Sequence, residues 1–331
     1  MIVQKETELK MQNNPKIYLL PPPELEKVSK KLLAFNAVLC FAILAMSFVI
    51  YGEMHKSTLA EQKKEMIEDR SLGDVRIQAK SAYVFDVYNQ RSLFEKNKNA
   101  QLPLASITKL MTALTALELS PHNPKVAIKK EFLQEEGDSG LLVGETWNLK
   151  DLLDFSLVAS SNDGVRSIAS VIGSLSDNNS DYDIGRANFI KKMNEEAKKI
   201  GLNQTYFINE SGLDEKNVSG GYSSAEDISK LVEYIMKNKP EILEATRYPK
   251  LKINSSAGTH VATNTNIIAK EIPGLIASKT GYTDMAGGNL VIAFDSSIGH
   301  PIIIVVLGST ESGRFEDVDK LVKVTLEYLS K

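Results

Sequence analysis

The chain has 331 residues, 43% of them hydrophobic and 24% charged, an ordinary globular balance that excludes a wholly disordered protein. A formal net charge of −3 gives no electrostatic reason to expect nucleic acid as a partner. The single cysteine, Cys40, excludes a disulfide framework and a thiolate metal site, and the four scattered histidines (His55, His122, His260, His300) match no zinc-peptidase pattern and are expected in loops or on the surface.

In chain order, residues 1–31, with Pro21-Pro-Pro23, read as a disordered tail. Residues 32–51, Leu32 to Tyr51, form an apolar stretch interrupted mainly by Asn36 and Ser47. At 1.5 Å per residue it spans roughly 30 Å, one hydrocarbon core. A cleaved signal peptide has a shorter apolar region of about 7–15 residues and a small-residue cleavage site after it. Here Tyr51-Gly-Glu-Met follows, so an uncleaved transmembrane anchor is expected. Lys27, Lys30 and Lys31 on one flank against Lys56 on the other favour a cytoplasmic N-terminus, although Lys63, Lys64 and Arg70 weaken the bias. Residues 52–74 are charged and read as a linker, with Lys56 to Glu68 as a helical stalk. Residues 75–331 then form one domain near the size limit of a single core.

Ser81-Ala-Tyr-Val-Phe-Asp-Val87 and Ser92-Leu-Phe-Glu95 read as a hairpin joined through Asn89-Gln-Arg91. The run from Ser106 to Leu117 reads as a buried helix with Ser106 at its start. Leu152 to Ala159 reads as a second helix, breaking before Gly164 to present Ser160 and Asn162. Lys279-Thr280-Gly281 falls on a strand, and Asn289–Asp295 and Pro301–Leu307 are two further buried strands. Phe315 to Leu329 has helical periodicity at Val318, Leu321, Val322, Val324 and Leu329. Strands at both ends with helices between them predict an α+β fold, an antiparallel sheet flanked by helices.

Three short segments carry chemistry. A serine hydroxyl is a weak nucleophile until a base takes its proton, and a spacing of three residues puts Ser106 and Lys109 on one helical face. Lys109 can be that base only when neutral, against an ordinary pKa of about 10.4. A second ammonium at ~4 Å and an effective dielectric of ~20 contributes ~4 kcal/mol, roughly three pKa units. A neighbouring lysine and a site partly closed to water are therefore expected, and Lys279 is the candidate. Ser160 can relay a proton, and the Asn162 carboxamide can donate and accept at once. Gly281 is expected to leave room for a substrate backbone at the strand edge. Each segment alone also fits a plain structural role: a helix N-cap, a polar turn, a strand ending in glycine. An unpaired Lys109 inside an apolar run would be costly, which favours function.

Together, Ser106-Ile-Thr-Lys109, Ser160-Ser-Asn162 and Lys279-Thr-Gly281 resemble the motif set of penicillin-binding proteins and class A β-lactamases. The stretches Pro103-Leu-Ala-Ser-Ile-Thr-Lys-Leu-Met-Thr-Ala113, Leu157-Val-Ala-Ser-Ser-Asn-Asp163 and Lys279-Thr-Gly-Tyr-Thr-Asp-Met-Ala-Gly-Gly-Asn-Leu290 narrow the resemblance. So do Gly201-Leu202, Thr205, Phe207, Gly212-Leu213 and Asn264-Thr-Asn266. The chain from about Ser81 onward is similar to the serine-type D-alanyl-D-alanine carboxypeptidases, the low-molecular-mass penicillin-binding proteins. The resemblance implies a β-lactamase/penicillin-binding-protein-like sandwich with a helical lobe, the site lying between lobe and sheet. It implies hydrolysis of peptidoglycan stem peptides through an acyl-enzyme on Ser106, β-lactams as covalent inhibitors, and no cofactor or metal. By the same resemblance Lys109 is the base, Ser160 the proton relay and Asn162 an orienting group. The backbone N–H groups of Ser106 and Tyr282 form an oxyanion hole, Lys279 keeps the field positive, and Thr280 and Arg314 grip the terminal carboxylate. Family members often carry a C-terminal β-rich domain and an amphipathic anchor, whereas here the N-terminal helix is expected to serve as tether, placing the enzyme on the outer face of a bacterial membrane. No Glu-x-x-Leu-Asn stretch lies between Asn162 and Lys279, which counts against a class A β-lactamase. An endopeptidase acting on cross-links and an inactive, membrane-tethered muropeptide-binding module remain as alternatives.

Overall fold

Three consecutive apolar strands with alternating inward faces set the architecture. A computed structural model of the chain describes residues 30–68, 72–120, 122–137 and 139–331. The strands and helices, in chain order, are α1 (Lys30–Glu68), β1 (Ser81–Asp86), β2 (Arg91–Lys96), β3 (Leu102–Pro103), α2 (Lys109–Leu119), β4 (Lys125–Ala127), β5 (Thr146–Asn148), α3 (Leu149–Val158), α4 (Asn162–Ser176) and α5 (Tyr182–Ile200). There follow β6 (Tyr206–Phe207), β7 (Gly221–Ser223), α6 (Ala225–Asn238), α7 (Glu241–Glu244), β8 (Lys250–Ser255), β9 (Gly258–Thr263), β10 (Leu275–Thr283), β11 (Gly287–Asp295), β12 (Pro301–Ser309) and α8 (Gly313–Leu329).

The main sheet is antiparallel and five-stranded, in the order β10-β11-β12-β1-β2. The side-chain period of two sends Val84, Leu290, Ile292, Phe294, Ile302, Ile304 and Val306 to one face, where Val318, Leu321 and Val322 of α8 cover them. Tyr83, Val291, Ala293, Ile303, Val305 and Leu307 point the other way, into a larger core shared with α2, α3, α4 and α6. Burial on both faces explains why β11 and β12 read as continuous apolar runs rather than as alternating ones. The fold is the expected α+β sandwich. Arg91, expected in the hairpin turn, belongs to β2 and pairs with Asp86.

The apolar segment and the charged stalk are one helix, α1, because no glycine pair or proline interrupts them. Within it, Leu33–Lys56 is long and apolar enough to cross a membrane, with a mean hydropathy of 2.5. Most of the expected N-terminal tail lies outside the described residues; Lys30 and Lys31 already belong to α1.

One histidine departs from the expectation of loop or surface positions, and a second, in a loop as expected, also meets a buried carboxylate. His260 sits in β9 against Trp147, with Nε2 2.8 Å from the buried Glu145 carboxylate. His300 lies between strands but places Nε2 2.7 Å from the buried Asp86. Both carboxylates had to be paired once buried, and a sequence scan sees neither partner.

Candidate active site

A single 3₁₀ turn, Ala105–Thr108, carries Ser106 and leads into α2 at Lys109, so Ser106 precedes the α-helix rather than opening it. Ala105 has φ +49°, an uncommon conformation for a residue with a Cβ. It turns the chain sharply just before the half-buried serine. Asn289 of β11, wholly buried, donates through Nδ2 to the carbonyls of Pro103 and Leu104 (both 3.0 Å), and its Oδ1 accepts from Gly308 N at 2.7 Å. The turn is thereby fastened to the sheet.

The spacing of three brings Lys109 Nζ to 2.8 Å from Ser106 Oγ. Nζ also donates to Asn162 Oδ1 at 2.7 Å and to the Ser211 carbonyl at 2.8 Å. Asn162 opens α4, immediately after the break between α3 and α4. There Ser160 adopts φ +59°, and the Ser161 hydroxyl caps the new helix by accepting from Gly164 N. Asn162 Nδ2 donates to the Glu136 carbonyl at 2.6 Å, so a loop on the far side holds the carboxamide oriented toward Lys109.

Lys279 lies on β10, the edge strand of the sheet, and its Nζ is 2.8 Å from Ser160 Oγ. Its other contact is the Thr280 carbonyl at 2.9 Å. Thr280 Oγ1 meets Thr265 Oγ1 at 2.6 Å, and Thr265 N donates to the Val158 carbonyl at the end of α3. Gly281 was expected to leave space for substrate. In the structure a Cβ there would lie 2.6 Å from the Leu104 carbonyl oxygen and 3.1 Å from Ser106 N, so the glycine also admits the chain's own serine-bearing turn. Gly212, at φ +81°, does the same from the opposite side, its Cβ position overlapping the Ala105 carbonyl. Tyr282, next along β10, has an exposed side chain. Arg314 opens α8 and donates through Nη1 to the Gly281 carbonyl at 2.9 Å; its Nε is buried without a hydrogen-bond partner. The arginine thus braces the same strand, its guanidinium carbon 5.9 Å from the centre of the Tyr282 ring.

Lys109 and Lys279 are both fully buried. Burial pulls the Lys109 pKa down from 10.5 to about 7, against Glu210 and Glu135, whose negative charge pulls it up. This corrects the expectation that a second ammonium is the chief cause: desolvation dominates. Lys279 is also held well below its ordinary value, by burial first, then by Lys109 and Arg314. Burial disfavours the ammonium form of each amine, and the charge of Lys109 adds to that effect at Lys279.

All three segments converge: Ser106 touches Lys109, Lys109 touches Asn162, and Lys279 touches Ser160. Thr280, Gly281, Tyr282 and Arg314 line or support the same strand. Sequence reading missed Asn289, Ser211, Thr265 and Glu136, which contribute a buried carboxamide, one hydroxyl and two carbonyls. Asn289 and Thr265 lay inside stretches already singled out, Gly287-Gly-Asn289 and Asn264-Thr-Asn266; the two carbonyls leave no mark in residue type. Among the described residues no group of His, Cys, Asp and Glu is arranged to hold a metal ion.

Residues 65–311 match the family model described as D-alanyl-D-alanine carboxypeptidase. The chain is similar to D-alanyl-D-alanine carboxypeptidase DacF of Bacillus subtilis, with 30% identity over 250 residues, 74% of this chain and 61% of the relative. It thus spans less than two thirds of that relative's length. A D-alanyl-D-alanine endopeptidase of Haemophilus influenzae is 32% identical over 217 residues, 64% of this chain and 69% of the relative. Among solved structures, a Listeria monocytogenes penicillin-binding protein in its cefotaxime-bound form aligns at 31% identity with a TM-score of 0.63, covering 76% of this chain and 98% of that one. A Streptomyces DD-transpeptidase aligns at 26% identity with a TM-score of 0.69, covering 77% and 99%.

Proposed function

The chain belongs to the D-alanyl-D-alanine carboxypeptidase family of serine peptidases, and from that premise we propose that it removes the terminal D-alanine from peptidoglycan stem peptides through an acyl-enzyme on Ser106. One observation carries the mechanism: Lys109 Nζ is 2.8 Å from Ser106 Oγ while its two other contacts, Asn162 Oδ1 and the Ser211 carbonyl, are pure acceptors. A neutral amine has two N–H donors and one lone pair. With the donors taken by the two carbonyl oxygens, the lone pair faces the Ser106 hydroxyl. Lys109 takes that proton as Ser106 Oγ attacks the carbonyl between the two D-alanines. The oxyanion forms beside Ser106 N, where the close approach of Gly281 also brings the backbone before Tyr282 N.

The C–N bond then breaks, and the proton that Lys109 took passes to the departing D-alanine amine through the Ser160 hydroxyl, which Lys279 holds, leaving Lys109 neutral. Water hydrolyses the resulting ester, restoring Ser106 and releasing the shortened peptide. Lys279, Thr280 and Arg314 supply the positive and hydrogen-bonding side of the cleft that suits the terminal carboxylate. β-Lactams acylate Ser106 by the same attack; the cefotaxime-bound Listeria relative supports this class of inhibitor. Leu33–Lys56 anchors the enzyme in the membrane with its N-terminus cytoplasmic and residues 75–331 outside. A cross-link-cleaving endopeptidase is the second reading, favoured by the Haemophilus influenzae relative.

The test is D-alanine release from diacetyl-Lys-D-Ala-D-Ala by the full chain in detergent, beside Ser106→Ala. Release by the parent alone supports the proposal. A folded parent that releases none, yet cleaves cross-linked muropeptides, would transfer the assignment to an endopeptidase.

A further inference from the structure

Glu210 is a wholly buried glutamate that the mechanism above does not use. Arg186 of α5 places Nε 2.9 Å from both of its carboxylate oxygens. The backbone at Glu210–Ser211 is fastened to α2 at two points one helical turn apart. Thr112 Oγ1 donates to the Glu210 carbonyl at 2.6 Å, and Lys109 Nζ donates to the Ser211 carbonyl at 2.8 Å. The carboxylate, held by Arg186, therefore anchors the segment that holds Lys109.

We propose that Arg186 and Glu210 form a positioning pair for Lys109: Glu210, held by Arg186, fixes the Ser211 carbonyl on Nζ, and Arg186 offsets part of the charge that Glu210 presents to the amine. This rests on Lys109 being the base in the proposed reaction. The surrounding charges agree. Lys109 feels Glu210 and Glu135 on the acidic side, and its cationic neighbour is Lys279, itself beside Arg314. Arg186 faces Glu210, Glu135 and Glu215. Glu135 is itself near Arg166, which also reaches Asp183, and its backbone N donates to Asp163. Glu210 thus has Arg186 as its ion-pair partner, and Glu135, the other carboxylate acting on Lys109, is near Arg166 and acts on Arg186 as well.

Lys109 is titrated directly by NMR in the full chain in detergent with isotope-labelled lysine, its signal assigned by loss in Lys109→Ala; benzylpenicillin acylation is followed against pH in parallel. Arg186→Gln should raise the Lys109 pKa by about one unit or more, because a bare carboxylate then faces the amine. Glu210→Gln should lower it, Arg186→Lys should partly restore it, and the double variant Arg186→Gln/Glu210→Gln should return close to the parent. The acidic limb of acylation should move with it. If Arg186→Gln fails to fold, Glu210→Gln and the neutral double variant still decide. Equal rate losses with an unmoved Lys109 titration would reduce the pair to scaffolding and overturn the proposal. A parent that titrates as expected but is not acylated would instead sink the functional reading, leaving the titration shifts to judge the pair.

Discussion

Replacing Lys109 by methionine separates what this side chain does for chemistry from what it costs the fold. In the folded chain its pKa is about 7, against 10.5 unperturbed. That gap is worth roughly 5 kcal/mol between the two protonation states. The sign follows from proton counting. Between pH ~7 and ~10.5 the unfolded chain holds a proton on Lys109 that the folded chain lacks, so stability rises with pH across that window. Below pH ~7 the folded chain carries the full penalty of a buried ammonium. Lys109→Met removes this titration but leaves the Ser211 carbonyl and Asn162 Oδ1 without a donor, at about 1–3 kcal/mol each. At neutral pH the penalty removed and the hydrogen bonds lost largely offset each other, so the pH slope is the diagnostic quantity. Measured by reversible denaturant unfolding in detergent at pH 7, 8 and 9, the parent should gain on the variant by about tenfold in the folding equilibrium per pH unit. The variant should also fail to be acylated at any pH. Parallel stability curves would refute the reasoning, since Lys109 would then be titrating as an ordinary exposed lysine.

Other perturbations test the geometry around it. Gly281→Ala forces a methyl group to 2.6 Å from the Leu104 carbonyl and should displace Ser106, lowering kcat/KM on a D-Ala-D-Ala peptide by about a hundredfold while the melting temperature falls only modestly. Asn289→Ala strips donors from the Pro103 and Leu104 carbonyls and an acceptor from Gly308 N; thermal unfolding should show a loss of roughly 2–4 kcal/mol, and an unchanged midpoint would mean the turn holds itself. Acylation by benzylpenicillin should rise with pH through about 7 as Lys109 gives up its proton, and a flat profile from pH 5 to 9 would exclude it as the base. Deleting residues 1–68 should move the protein from the carbonate-resistant membrane fraction to the supernatant; retention in the pellet would point to an anchor elsewhere.

Much of the fold was legible because its signals are local. Alternation and apolar runs located β1, β2, β11 and β12, and the periodicity of Phe315 to Leu329 located α8. The Ser106–Lys109 contact was legible because helical geometry alone brings side chains three residues apart into reach. Short elements such as β3, β6 and β7 were not, since two or three residues carry no period and are held by pairing with distant strands. The position of His260 was missed for a related reason: whether an imidazole is drawn inward depends on a distant carboxylate such as Glu145 meeting it.

By itself the sequence determined the chemical inventory: a serine and a lysine one turn apart, a polar helix break, a lysine-threonine-glycine strand and an apolar helix long enough for a bilayer. These depend on residue type and short spacing. The tertiary structure decided what that inventory does. Lys109 meets Asn162 across 53 positions and Ser211 across 102, and Asn289 holds the Ser106-bearing turn from 186 positions away. Gly281 proved to be a place where two segments of the chain touch, a constraint that no local pattern shows. Above all, the proton affinity of Lys109 is a sum over everything packed around it, dominated by the exclusion of water. No stretch of sequence contains that sum, because it exists only once the sheet, the helical lobe and the intervening loops have closed on the same atom.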